Sequence, residues 1–308
     1  MKAERWRFGV AAIVVAFLAA PGISAQTAPK ENVEISADEA KVPAEAKAAY
    51  EQAMKAVGEN NVDAAISEFT RALGLYPQYL RALDDLGALY MKLDRLDDAI
   101  STFTQAVSIN PRHYAARLNL GVAYNRQGKH AEAIQVLDKL LKERPSLANA
   151  RVQFAEALLA SRQTDAAAEQ LRLALADEGL ENSARANAHL SLGFLLNREE
   201  RYSAAVKELE KAIEINPEVP RAHMYLGAAL LNLKKMAEAE AALLKAYELG
   251  GSGVAGAQLS LGQLYYQQQK YNLAQRAFEQ YLKDSPNATN ATQVKAVIEK
   301  IKAAKKQK

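Results

Sequence analysis

The chain has no cysteine among its 308 residues. That excludes a disulfide framework, a thiol nucleophile and a cysteine metal ligand. It also excludes the lipid attachment that an exported lipoprotein carries on an N-terminal cysteine. Aromatic residues make up 7%, and the one tryptophan, Trp6, lies in the first 25 residues. A charge excess of one sign is missing too. Lys and Arg number 39 against 36 Asp and Glu. A chain without a basic excess is a poor match for a phosphate backbone, so nucleic acid is not the expected partner. The longest apolar run, Phe8 to Ala20, has 13 residues, short of the roughly 20 that a membrane helix needs. No G-x-G-x-x-G, phosphate loop, G-x-S-x-G or H-E-x-x-H occurs, which leaves no recognisable catalytic or cofactor motif.

The start of the chain has its own layout. Lys2, Arg5 and Arg7 precede the apolar run, Pro21-Gly22 ends it, and Ile23-Ser24-Ala25 supplies small residues before Gln26. This pattern predicts a secretory signal peptide over 1–25, cleaved after Ala25. Left uncleaved, it would tether the rest to a membrane. Cleavage removes three basic residues and Glu4, so 39 against 36 becomes 36 against 35. An exported chain without cysteine fits a bacterial periplasm or exterior, with stability drawn from packing. Residues 26–43, with Pro29, Pro43 and scattered charge, read as a flexible leader.

From there one pattern returns every 34 residues. Leu86-Gly87, Tyr90, Ala99, Phe103, Ala106 and Pro111 are followed at identical offsets by Leu120-Gly121, Tyr124, Ala133, Leu137, Leu140 and Pro145. A fixed period of this length means stacked units in place of one globular core. The units begin near 46, 80, 114, 148, 186, 220 and 255, and each holds two amphipathic stretches. In the second unit helix A is expected over about Leu80–Leu93 and helix B over Leu96–Ile109, with Asp94 and Arg95 in the turn. Pro111 then stops helix B.

These positions make the chain resemble a tetratricopeptide repeat protein. Leu-Gly recurs at Leu86-Gly87, Leu120-Gly121, Leu192-Gly193, Leu226-Gly227 and Leu261-Gly262. The helix B alanine recurs at Ala65, Ala99, Ala133, Ala167, Ala205, Ala239 and Ala274, and the closing proline at Pro77, Pro111, Pro145, Pro217 and Pro286. The resemblance covers 46–286. It implies an all-α, right-handed superhelical solenoid of antiparallel helix pairs, with seven repeats over 44–286. It also implies a non-enzymatic protein-binding scaffold that needs no cofactor or metal. The family's chaperone-tail carboxylate clamp is not reproduced, since Asn119 alone matches an element of it.

Departures mark special places. Gln52, Ala53 and Ala56 replace Leu, Gly and Tyr in the first unit, as suits a terminal repeat. The joints near 177–185 and 250–254 lack proline and carry glycine or extra residues, so each reads as a change of stacking angle or a hinge, or else as a plain loop. Over 287–308, Val294, Val297, Ile298 and Ile301 fall at helical spacing and predict a capping helix, followed by a basic tail.

Candidate chemistry is thin. His189 and His223 sit 34 apart in helix A and are placed to stack on each other; two ligands without a third do not make a metal site. Asn287 and Asn290 each start an N-x-[ST] triplet and read as turn and cap residues. Adjacent carboxylates such as Asp84-Asp85 diverge around a helix.

The resemblance puts helix A on a concave side, and its outward residues form the candidate groove for a protein or peptide segment. They are Asp84, Lys92, Leu118, Asn125, Arg126, Val152, Glu156, Leu190, Asn197, Arg198, Met224, Asn232, Leu259 and Tyr266. One ladder is apolar in five successive units (Leu118, Val152, Leu190, Met224, Leu259), and Asn-Arg recurs at 125–126 and 197–198. Apolar residues beside hydrogen-bond donors suit a partner segment. Alanine at Arg126 or Arg198 is expected to weaken its capture without lowering the melting temperature. The role expected is assembly or tethering of an envelope or secreted complex. The alternative is a substrate-presenting subunit of an envelope enzyme or polysaccharide machine.

Overall fold

The computed structural model describes residues 40–306, so the expected signal segment and most of the leader lie outside the described residues. Fifteen α-helices and one 3-10 turn are present, and no strand among the described residues. Seven antiparallel pairs follow one another: α1 (Ala44–Gly58) with α2 (Val62–Leu75), α3 (Leu80–Lys92) with α4 (Leu96–Ile109), α5 (Tyr114–Gln127) with α6 (His130–Glu143), and α7 (Ala148–Ala160) with α8 (Thr164–Leu175). Then come α9 (Asn182–Arg198) with α10 (Tyr202–Ile215), α11 (Pro220–Asn232) with α12 (Met236–Gly250), and α13 (Gly256–Gln267) with α14 (Tyr271–Asp284), closed by α15 (Ala291–Lys306). The chain divides into two compact units, 40–170 and 171–306, within α8.

The turn from A to B is made the same way seven times. A residue one or two places past helix A takes the left-handed conformation: Asn60, Asp94, Gly128, Arg162, Glu200, Lys234 and Gln269, with φ between +58° and +79°. The next N–H then donates to the carbonyl five residues back, as Arg95 does to Tyr90 at 2.9 Å and Lys270 to Tyr265 at 2.8 Å. This closes the orphan carbonyls of the A helix. Glycine fills the position once, at Gly128, so periodic side-chain pattern and backbone bonding, more than glycine, stop these helices.

The core is a string of small clusters, each shared between an A–B pair and the next A helix. Ala99 and Phe103 of α4 pack with Leu120 and Ala123 of α5, and with Tyr90 of α3. Gly87 exists because of Phe103. A Cβ there would lie 2.6 Å from the fully buried ring, and overpacking of that kind costs about 1–3 kcal/mol. Leu137, Leu209, Leu243 and Phe278 press on Gly121, Gly193, Gly227 and Gly262 in the same way.

Three places singled out in the sequence have defined contacts. Val42, at the end of the leader, is buried beside Ala46 and Tyr50. The extra residues before the fifth repeat lengthen α9 to 17 residues, starting at Asn182. Ahead of it, Arg185 ties down the loop by donating to the carbonyls of Asp177, Glu178 and Leu180 at 3.0–3.1 Å. The glycines near 250 are a close contact. A Cβ on Gly250 would meet Pro220 at 2.7 Å, and Val254 of the 3-10 turn Gly251–Val254 is buried. At the end, Val294, Val297, Ile298 and Ile301 of α15 are buried with Phe278 and Tyr281 of α14, while Lys295 and Lys302 stay exposed.

Candidate functional site

Within each unit, successive A helices touch side by side: α3 with α5 and α5 with α7 in the first, α9 with α11 and α11 with α13 in the second. No pair of successive B helices in a unit makes comparable contact. The A helices are therefore closer together, and their face is the inner, concave one of each unit. The candidate residues all lie on these helices, yet most of those in the first unit are spent on holding the array together.

Asp84 Oδ2 accepts from His113 Nε2 at 2.6 Å, with that ring buried. Arg126 reaches back to the preceding repeat. One guanidinium nitrogen donates to the Met91 carbonyl at 2.7 Å and the other to Asp94 at 2.8 Å. It caps α3 and pins the left-handed turn residue. Asn125 donates its amide to the Gln153 carbonyl at 2.8 Å, and Oδ1 is buried without a partner. Val152 is 1% exposed and belongs to the core. Leu118 is half-buried against the Ala133–Leu137 cluster. Lys92 is exposed and Glu156 half-exposed. The Asn-Arg signal was thus a structural one here: both side chains cross to neighbouring A helices.

The second unit is different. Asn197 repeats the staple, donating to the Tyr225 carbonyl at 2.9 Å, and Met224 is 7% exposed. Met224 and Val152 are buried against protein, and Asn197 is half-buried with its amide engaged. Leu190 and Leu259 are half-buried on the core and keep an open side. Tyr266 is half-exposed, edge-on to Tyr271 with ring centres 5.9 Å apart. Arg198 is exposed with its guanidinium 5.8 Å from the Phe194 ring centre, and Asn232 is exposed and bonded back to Ala228 O at 2.9 Å. Phe194, an outward helix A residue beside Leu190 and Arg198 in the sequence, sits in the same face. It is half-buried, 5.0 Å from Tyr225. Its signal is an aromatic at a position that the other repeats fill with Met54, Ala88, Val122, Glu156, Ala228 and Gln263.

The two histidines have separate hydrogen-bond partners. His189 Nδ1 pairs with Glu208 at 2.7 Å, and His223 Nε2 with the Pro217 carbonyl at 2.8 Å. Burial pulls the Glu208 carboxyl up, but hydrogen bonds from His189 and Lys211 outweigh it and hold it below its ordinary range. Asn290 spends its side chain on the Tyr281 hydroxyl at 2.6 Å. Among the described residues no group of three or more His, Asp or Glu side chains converges on a possible metal position. None of the described helices is long and apolar enough to cross a membrane.

Two sequence models of the tetratricopeptide repeat match, one over residues 50–108, 85–148, 195–254 and 259–299, the other over 125–189. The chain belongs to the tetratricopeptide repeat family. No curated protein matches it in sequence. Among solved structures it is similar to a tetratricopeptide repeat protein from Parabacteroides merdae, at 16% identity over 84% of this chain and 99% of that one, with a TM-score of 0.62. It is also similar to PilF of Pseudomonas aeruginosa, at 18% identity over 70% of this chain and 96% of that one, TM-score 0.61. YrrB, described as a tetratricopeptide repeat protein with an unusual peptide-binding site, aligns at 21% identity over 64% of this chain and 100% of its own, TM-score 0.50. At these identities the likeness is one of fold.

Proposed function

We propose that this repeat array is a non-enzymatic scaffold that holds a segment of a partner protein on its inner face, after export, within an envelope or secreted complex. The observation that carries the binding reading is the inner face of residues 171–306. Leu190, Phe194, Leu259 and Tyr266 keep part of their apolar surface open there, beside the exposed donors Arg198 and Asn232. A line of apolar anchors with a few polar groups is the chemistry of a segment-binding groove. The peptide-binding site named for YrrB supports the same use of the fold. Export is supported by the charged, apolar and small-residue layout of residues 1–25.

The test is a crosslinked pull-down of the tagged chain from its native cells, with partners identified by mass spectrometry and the bait's own N-terminus sequenced. Recurring envelope proteins, and a bait beginning at Gln26, support the whole reading. A recurring envelope enzyme assigns the chain to that enzyme as a substrate-presenting subunit. A bait recovered from the cytosol with residues 1–25 intact removes export, and a bait that captures nothing removes the scaffold.

A further inference from the structure

Charge in the second unit is sorted by helix layer. The inner helices α9, α11 and α13 contain Arg198, Arg221 and Arg185, the last engaged with the loop carbonyls of 177–180, and not one Asp or Glu. The outer helices α10, α12 and α14 carry Glu208, Glu210, Glu214, Glu238, Glu240, Glu248, Glu279 and Asp284 against Lys207, Lys211, Lys245, Arg276 and Lys283, so the acids prevail there. One sign of charge lining a concave face raises the local concentration of the opposite sign. The first unit lacks this sorting, because α3 holds Asp84 and Asp85 and α7 holds Glu156.

The register shows where the field is strongest. Arg198, Asn232 and Gln267 occupy one position in three successive A helices, and all three are exposed. They form a row of a cation and two amides along the edge where A turns to B. The neighbouring rows hold Phe194, Gln263, Leu190 and Leu259, half-exposed. Arg198 is held over the Phe194 ring, an arrangement that orients the guanidinium while leaving its N–H fork open. The acidic residues that follow it, Glu199 and Glu200, sit in the turn, where Glu199 pairs with Arg201 at 3.2 Å.

We infer that the segment bound by residues 182–267 is acidic, with carboxylates facing the Arg198–Asn232–Gln267 row and bulky apolar side chains on Phe194, Leu190 and Leu259. This rests on the reading that the inner face is the binding surface, and adds the charge class of its occupant. Packed helices stand about 8–10 Å apart, and an extended chain rises about 3.4 Å per residue. Reaching from the first of three A helices to the third, two such spacings, therefore takes roughly five to six residues.

The experiment selects from a random displayed library of peptides about twelve residues long on the immobilised full chain. Winners are then measured as labelled synthetic peptides against wild type, Arg198→Glu and Gln263→Glu. Each also carries a photoreactive group whose crosslinks are mapped. Both substitutions fall at exposed or half-exposed positions, and unchanged helical circular dichroism confirms that the variants fold. The expected result is acidic winners crosslinked within 182–267. Arg198→Glu should weaken them about tenfold, Gln263→Glu less, and salt should weaken them as Coulombic pairing is screened. Neutral or basic winners crosslinked within 182–267 overturn the acidic class and leave the groove standing. Acidic winners indifferent to Arg198→Glu overturn the class as well. No enrichment, or crosslinks elsewhere, overturns both readings.

Discussion

At the scale of single residues, the left-handed turn position offers two opposed substitutions. Gly128 sits at φ +79° with no neighbour near a would-be Cβ, so Gly128→Ala meets no clash and tests backbone strain alone. It should cost about 1 kcal/mol. Lys234, at φ +63°, already carries that strain. Lys234→Gly should stabilise by a few tenths of a kcal/mol, roughly, since glycine's unfolded-state entropy returns part of the gain. Opposite shifts in melting temperature check the pair; shifts of one sign would mean the turn geometry is wrong. A second test concerns Asp85, which accepts the Tyr50 hydroxyl at 2.6 Å. Burial pushes its carboxyl above its ordinary value, outweighing that bond. A raised folded pKa gives stability below the unfolded pKa that is lost as pH rises through the folded one. Wild type therefore bears a burial penalty at neutral pH that Asp85→Asn avoids, while the amide oxygen still accepts from Tyr50. Asp85→Asn should melt higher than wild type at pH 7 and no higher at pH 3, roughly below both carboxyl pKa values.

At the scale of elements, helix positions and core faces were legible in the sequence, because Leu, Gly, Tyr, Ala and Phe recur at the offsets that pack one helix on the next. Exposure was not. Val152 and Met224 share a register with Leu190 and Leu259, and only the local fit of neighbouring A helices decides which of the four keeps an open side. Polar residues were misread for a related reason. Asn125, Asn197 and Arg126 look like ligand-binding donors until the neighbouring repeat is in place to receive them. Arg126→Ala should therefore lower the melting temperature, with a loss of about 1–2 kcal/mol: one bond to a backbone carbonyl and one screened pair with Asp94. Arg198→Ala, at a site bonded to nothing beyond the Phe194 ring among the described contacts, should leave it unchanged. Thermal melts of both variants decide between a cap and a groove residue, and an Arg126→Ala protein as stable as wild type would return Arg126 to the groove.

At the scale of the whole molecule, a repeat array is held by contacts between neighbours, so damage should stay near its origin. The end of the second unit is the place to see it. Ile301 is fully buried in the cluster that joins α15 to Phe278 and Tyr281. A charge at that position cannot stay buried unpaired. Ile301→Asp should not unfold the chain, however, because α15 can peel away and hydrate the new carboxylate. The loss is then bounded by the docking energy of one helix, and the newly wet surface is the outer side of α14. Amide hydrogen exchange reads this directly. Protection should collapse in α15, fall in α14 and persist in α9 and α10. A uniform loss from α9 to α15 would instead make the second unit a single cooperative block, and its inner face would then be held as one rigid surface.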